Sequence, residues 1–222
     1  MTMELLTKYD LKPLFIARPD QRDYTLKRYF HPWQKFPYLA RFKIVLKLLG
    51  EEKFDNFLDA GFGSGIFIPE LKKITQNLYG IDLHPEVDLV KKIINNKRIP
   101  VNLQKADLTN LPFPENFFDG ILCLSVLEFV SDIEKAISEM KRVTKPGATI
   151  IIGVPVLNPL TNFIYTRVVK FKNHLLAHKT SQQEVLTEIN KYLKIAQIVR
   201  YPFWLPGRYS LFLVIKAKKS FN

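Results

Sequence analysis

The chain has 222 residues, of which 33 are Lys or Arg and 21 are Asp or Glu, for a formal net charge of +12. With 47% apolar residues, 17 Phe and 9 Tyr, a core can be built and wholesale disorder is excluded. A single cysteine, Cys123, excludes a disulfide framework or a cysteine zinc site within the chain. No run approaches the ~18 apolar residues of a membrane span, and charge interrupts MTMELLTKYDLKP too often for a secretory signal, so a cytoplasmic protein is expected.

Residues 1–35 read as irregular, broken by Pro13, Pro19 and Pro32, with Tyr24–Phe30 able to form a short helix. Residues 36–49 place Leu39, Phe42, Val45, Leu46 and Leu49 at helical spacing, with Gly50 as the stop. An alternation follows. Phe54–Asp59 reads as a strand, Ile66–Ile74 as a helix, Leu78–Asp82 as a strand, Pro85–Asn95 as a helix and Val101–Lys105 as a third strand. Phe117–Leu124 is a fourth strand, Asp132–Val143 an amphipathic helix capped by Asp132, and Ala148–Val154 a fifth strand after a turn at Lys145-Pro146-Gly147. Near-continuous apolar strands alternating with helices predict a parallel sheet covered on both faces.

The last third differs. Residues 156–180 contain no acid; Ile164, Val168, Phe171 and Leu175 stripe one helical face, and Arg167, Lys170, His174 and His178 another. Ser181–Leu193 reads as a helix opened by a Ser181/Glu184 capping box, and Ile195–Phe203 and Ser210–Ala217 as two strands joined at Pro206-Gly207. Charge is uneven: residues 58–155 carry 11 basic and 12 acidic side chains, whereas 156–222 carry 11 and 2. That asymmetry points to an anionic partner (nucleic acid, a lipid surface or an acidic substrate) or to a plain solvated face.

The segment Leu58-Asp-Ala-Gly-Phe-Gly-Ser-Gly-Ile66 lies where the first strand should end and a helix begin, the place where open parallel sheets bind ligands. Its spacing is G-x-G-x-G. The dinucleotide fingerprint needs a third glycine where Ile66 stands, and no phosphate-binding G-x-x-x-x-G-K-[ST] occurs in the chain. Asp82 ends the second strand, where a carboxylate can accept from both hydroxyls of a ribose. Asp107 follows the third strand, placed to accept from an adenine amino group, with Leu108 packing on the ring. Asp119 begins the fourth strand. Four acids at the edges of successive strands, in register with a glycine loop, form one pattern.

Taken together, LDAGFGSG, YGIDLHPE, KADLTNLPFPENFFDGILCLSVLEFV and EMKRVTKPGATIIIGVP resemble the successive motifs of class I S-adenosylmethionine-dependent methyltransferases of the small-molecule, type 11 kind. The resemblance spans residues 56–155. It implies an α/β Rossmann-like sheet of seven strands in the order 3-2-1-4-5-7-6, the seventh antiparallel, with helices on both faces. A single domain over 1–222 is expected: an N-terminal helical cap (1–50), a cofactor-binding core (51–155), an acceptor-side insertion (156–180), and a C-terminal helix and hairpin (181–222). The resemblance further implies S-adenosylmethionine as methyl donor, leaving as S-adenosylhomocysteine. Asp59, Ala60, Gly61, Gly63 and Gly65 would surround its methionine part. Asp82 and Leu83 would meet the ribose, and Asp107 and Leu108 the adenine. Leu124, with Ser125, would lie beside the methionyl group. Phe62, Phe129 and Ala148 depart from the family pattern, and Phe129 stands where a catalytic histidine is common.

Methyl transfer from a sulfonium is a displacement on an already activated donor, so a base is needed only if the nucleophile must lose a proton. Glu128 and Asp132 fall near the expected acceptor pocket; Asp132 reads as the N-cap of the next helix, Glu128 is left as a candidate base, and the catalytic residue is otherwise unassigned. The His174/His178 pair lacks further ligands, so no metal is expected. His31 and His84 read as surface or turn residues, and Cys123 as a buried strand residue. LSVL after the fourth strand lacks the N/D/S-P-P-Y/F tetrapeptide of amino-methylating nucleic-acid enzymes, and Leu122 before Cys123 excludes a Pro-Cys nucleophile. The expected acceptor is therefore small or lipid-like. A non-catalytic S-adenosylmethionine-binding module is the alternative, and an RNA acceptor rests on charge alone.

Overall fold

The computed structural model of the protein describes residues 3–17, 24–168 and 179–220. Seven strands form one sheet: β1 (Phe54–Ala60), β2 (Thr75–Asp82), β3 (Asn102–Lys105), β4 (Phe118–Leu124), β5 (Thr144–Pro155), β6 (Lys194–Tyr201) and β7 (Phe212–Lys218). Their order is β3-β2-β1-β4-β5-β7-β6. β1 to β5 are parallel, and β7 runs antiparallel between β5 and β6. Strand order and direction are those expected.

The apolar strands divide their side chains between two core layers at a period of two. Ile151 packs with Leu122 and Val214 on one face, while Ile150 and Ile152 pack with Ile121, Cys123 and Ile215 on the other. Each face needs a cover. The first receives α1 (Lys12–Ala17), α2 (Tyr24–Tyr29), α3 (Lys35–Leu49), α4 (Ile68–Lys72) and α5 (Val87–Asn96). The second receives α6 (Ile133–Val143), then, beyond the short α7 (Pro159–Phe163), α8 (Gln182–Tyr192). On α6 the stripe Ile133, Ala136, Ile137, Met140 and Val143 is buried, and each large side chain in it contributes roughly 1.5–3 kcal/mol. The Asp132 carboxylate accepts from Lys135 N at 2.9 Å, and the capping box at Ser181 and Glu184 is closed from both sides.

Four local readings change. Residues 12–17, read as irregular, form α1, because Pro13 occupies a first-turn position where its missing N–H is not needed. The helix expected over 66–74 shortens to α4, since Gly65 is still turning and Thr75 already pairs with Phe54 in the sheet. Lys145-Pro146-Gly147 is not a turn before β5 but part of it, accommodated by a register shift against β4 between Phe118 and Gly120. β6 and β7 are joined not by a tight Pro-Gly turn but through residues 202–211, with a 3-10 turn at Gly207–Tyr209. In the insertion, α7 continues as a π-helical turn, Ile164–Val168. Lys170, Phe171, His174, Leu175 and His178, on which the striping was read, lie outside the described residues.

Candidate active site at the strand tips

The carboxyl ends of β1, β2 and β4 open on a cavity of about 450 Å³, within the size range of small-molecule sites. β1 delivers Asp59 and then must turn. Gly61 has φ +95°, and a Cβ there would stand 2.1 Å from Val126 Cγ2, so glycine is required. Gly63 has φ +56°, and the space its Cβ would occupy is open to at least 4 Å. Bare backbone therefore faces the cavity at this point.

β2 holds the loop in place. The Asp82 carboxylate accepts from Gly63 N at Oδ2 (2.8 Å) and from His84 N at Oδ1 (3.1 Å). Each oxygen takes one backbone bond and keeps acceptor capacity for a ligand. His84 completes the lock. Its Nδ1 accepts from Glu86 N at 3.1 Å, which leaves the proton on Nε2 to donate to Gly63 O at 2.8 Å. His84 stands in the turn after β2, as its reading as a surface or turn residue allowed, and it also lines the cavity, edge-on to Phe62 at 5.4 Å. Its only sequence signal is its place two residues after Asp82.

Asp59 lines the cavity yet is only 5% exposed. Burial, and secondarily the charge of Asp82, push its carboxyl up to about 7. Asp107 Oδ1 accepts from Thr109 N at 2.8 Å and from Thr109 Oγ1 at 2.9 Å, so both bonds fall on one oxygen. Buried Leu108 lies beside it on the wall.

Of the residues expected around a cofactor, Asp59, Gly61, Gly63, Asp82, Leu83, Asp107, Leu108 and Leu124 line this one cavity. Ala60 and Gly65 do not. Alternation along β1 turns Ala60 into the opposite core layer with Leu58. Gly65 faces the helices, where a Cβ would stand 3.0 Å from Val90 and 3.1 Å from Ile68. Asp119 does not belong with the other acids. It lies at the start of a parallel strand, hence at the opposite edge of the sheet, accepting from Asn56 N at 2.9 Å and pairing with Lys145 at 2.7 Å.

Beyond β4 the wall is built differently. Ser125 adopts φ +59° and donates its N–H to Gly153 O at 2.7 Å, turning the chain into the short 3-10 segment Leu127–Phe129. Ser125 Oγ accepts from Arg41 Nη1, and Arg41 Nη2 donates to Tyr29 OH at 3.0 Å. The guanidinium lies 4.7 Å from the Tyr38 ring centre. Arg41 also lines a second cavity of about 320 Å³, walled by α3, the end of β5 and the start of β7, so the two cavities meet at this side chain. Arg41 was not legible as a site residue beforehand, because it precedes the motif-bearing span. Glu128, the candidate base, is buried and is not part of the cavity wall. Burial pushes its carboxyl up to about 8, against a backbone hydrogen bond and the charge of Arg41. Phe129 stands on the wall in its place. The buried Cys123 thiol is pushed far up by burial. Among the described residues no group of three or more metal-ligating side chains is present.

Residues 58–152, from β1 into β5, match the model of a family described as a methyltransferase domain. The likeness to this methyltransferase family rests on that span. Among its relatives, ajmaline N-methyltransferase of Rauvolfia serpentina is 35% identical over 106 residues, 46% of this chain and 36% of the relative. A ubiquinone/menaquinone biosynthesis C-methyltransferase, UbiE, of Vibrio cholerae is 31% identical over 170 residues, 71% of this chain and 62% of the relative. The chain thus spans roughly a third to two thirds of the length of these curated methyltransferases. The solved structure of the N-methyltransferase NodS from Bradyrhizobium japonicum in complex with S-adenosyl-L-homocysteine shares the fold at a TM-score of 0.68 and 19% identity, covering 95% of this chain and 98% of that one. The match with the family model falls on the strands whose tips build the cavity, while Arg41, Tyr29 and the second cavity lie largely outside it.

Proposed function

We propose that the protein is a cytoplasmic S-adenosylmethionine-dependent methyltransferase acting by direct in-line transfer on a small or lipid-like acceptor. The observation that carries this reading is the Asp82 carboxylate, held by Gly63 N and His84 N beside open space over a bare glycine backbone. Bound S-adenosylmethionine supplies a methyl group on a positively charged sulfonium, already activated for displacement. The chain binds and orients it. Asp82 would accept from the ribose hydroxyls, Asp107 from the adenine amino group with Leu108 against the ring, and Gly61 and Gly63 would let the backbone approach. Asp59 would face the ammonium of the methionine part, whose charge favours the ionised carboxylate. Holding the donor and acceptor in line is the main contribution such a site makes to rate.

Relatives named for ajmaline and for ubiquinone/menaquinone biosynthesis support a small or lipid-like acceptor. So does the second cavity, which adjoins the donor site at Arg41. Arg41 provides a fixed positive charge there, suited to an acceptor that reacts as an anion and therefore needs no carboxylate base. The acid-free insertion 156–180 agrees with an anionic acceptor or surface. Calorimetry tests the reading: the wild type is expected to bind S-adenosylmethionine and S-adenosylhomocysteine. Asp82→Ala should weaken both by about 1–3 kcal/mol, the cost of a lost acceptor for buried hydroxyls. No binding by the wild type refutes the function; unchanged affinity in the variant refutes only the role of Asp82.

A further inference from the structure

Among the described residues, six of the eight exposed aromatic side chains are concentrated, Tyr9 and Phe129 lying apart. Trp33 and Phe36 at the start of α3, Phe163 at the end of α7, and Phe203, Trp204 and Tyr209 between β6 and β7 are all exposed. Both tryptophans of the chain are among them, Trp33 at 77% and Trp204 at 63% exposure. The second cavity gathers these elements. Trp33 lines it with Ile164, Leu211 and Phe212. Tyr201 stacks on Phe212 at 4.9 Å, Trp204 stands edge-on to Tyr201 at 5.8 Å, and Phe203 edge-on to Trp204 at 5.0 Å. Asn158 Nδ2 donates to Ser210 O at 2.6 Å, tying the start of α7 to the turn that carries Tyr209.

The described segments that build this face carry charge of one sign. The segments that build it, residues 24–50, 155–168 and 200–212, contain nine Lys or Arg and no Asp or Glu, whereas the rest of the chain carries 24 basic and 21 acidic side chains. Lys35 Nζ lies 5.7 Å from the Phe36 ring centre, and Arg208 Cζ lies 5.0 Å from that of Tyr209. Rings with cations beside them, around an apolar opening, match the layering of a membrane surface: rings reach the acyl boundary while cations stay at the phosphates. No helix among the described residues is long and apolar enough to cross a membrane, so such contact is peripheral.

We propose that this face docks the protein on an anionic phospholipid bilayer, with the second cavity opening onto the lipid. An RNA is the competing polyanion, but the centre of the face is an opening walled by Pro37, Ile164, Leu211 and Phe212, which acyl chains fill and phosphates do not. Docking itself stands apart from methyl transfer. Only its consequence rests on that reading: the acceptor would be drawn from the lipid phase and reach the donor past Arg41.

The two tryptophans make the test direct. Full-length protein without cofactor is mixed with vesicles of phosphatidylcholine alone or containing phosphatidylglycerol. Expected are a blue shift of tryptophan emission and quenching by acyl-chain-brominated lipid only with phosphatidylglycerol, and loss of binding as salt rises. Arg200→Glu with Arg208→Glu should cut partitioning by at least about tenfold, since each cation at an anionic surface contributes roughly fivefold. Phe203→Ala with Trp204→Ala should also weaken it, while Lys91→Glu with Lys92→Glu on the exposed side of α5 should leave it within about twofold. Unchanged S-adenosylmethionine affinity and melting temperature in each variant show that the fold is kept. The proposal is overturned by no binding to phosphatidylglycerol vesicles at low salt, or by binding without blue shift or acyl-chain quenching. It is equally overturned by an equal loss in the α5 variant, or by binding to single-stranded RNA in place of vesicles. Protein that binds vesicles but no S-adenosylmethionine supports the docking and refutes the methyl-transfer reading.

Discussion

Asp59→Asn separates what the cavity costs the fold from what it does for a ligand. The Asp59 carboxyl ionises near 7 in the folded chain, against 3.8 when solvated, and each pH unit of such a difference corresponds to about 1.4 kcal/mol. Below about pH 4 the group is protonated in both states and costs nothing. Between about 4 and 7 the unfolded chain releases the proton and the folded chain keeps it, so stability falls as pH rises. Above 7 the cost is complete, about 4 kcal/mol. Asparagine has the same size and no charge. The variant should therefore be more stable than the wild type by about 1–2 kcal/mol at pH 5 and by about 4 kcal/mol at pH 8. For a chain of this length that corresponds to a rise in melting temperature on the order of 10 °C at pH 8. Thermal melts of both proteins at the two pH values give the result directly. Calorimetry on the same samples should show weaker S-adenosylmethionine binding by the more stable variant, since the methionine ammonium loses its carboxylate. Equal melting temperatures at pH 8 would refute the argument, because they would mean that the carboxylate is solvated in the folded chain.

The site also excludes a ligand. Ile66 stands on the cavity wall where a dinucleotide site needs its third glycine, so NADH and NADPH should not displace S-adenosylmethionine; competition at micromolar concentration would contradict this. Cys123 is fully buried and its thiol is held protonated, so iodoacetamide at pH 8 should label it only after unfolding. Labelling of the native protein at the rate of a free thiol would show that β4 is not where the core places it.

The strands were legible because their information is local, whereas their order and the antiparallel β7 were implied by the family resemblance alone. Apolar runs such as Gly120–Leu124 and Thr149–Val154 fit strands buried on both faces, and the glycine loop with Asp82 and Asp107 marks which edge is open. Most of the cavity wall on that edge followed from the same segment, since strand, turn and carboxylate are close in sequence. Single-residue placement was less secure. Ala60 and Gly65 belong to the motif yet face the core and the helices, because alternation and packing decide which side of a turn each residue presents. Asp119 shares the motif's chemistry but begins its strand instead of ending it, and strand direction alone removes it to the far edge. Arg41 and the aromatic rim of the second cavity had no motif to announce them. Arg41 meets Ser125 across 84 positions of chain, and Trp33, Ile164 and Phe212 reach one opening from three distant segments. Sequence by itself determined the strands and the pattern of glycine loop and carboxylates at their tips, because hydrophobic periodicity and turn chemistry act over a few residues. The second cavity and its aromatic rim were decided only when the tertiary fold closed helices over the sheet, because contacts between remote segments leave no local periodicity to read.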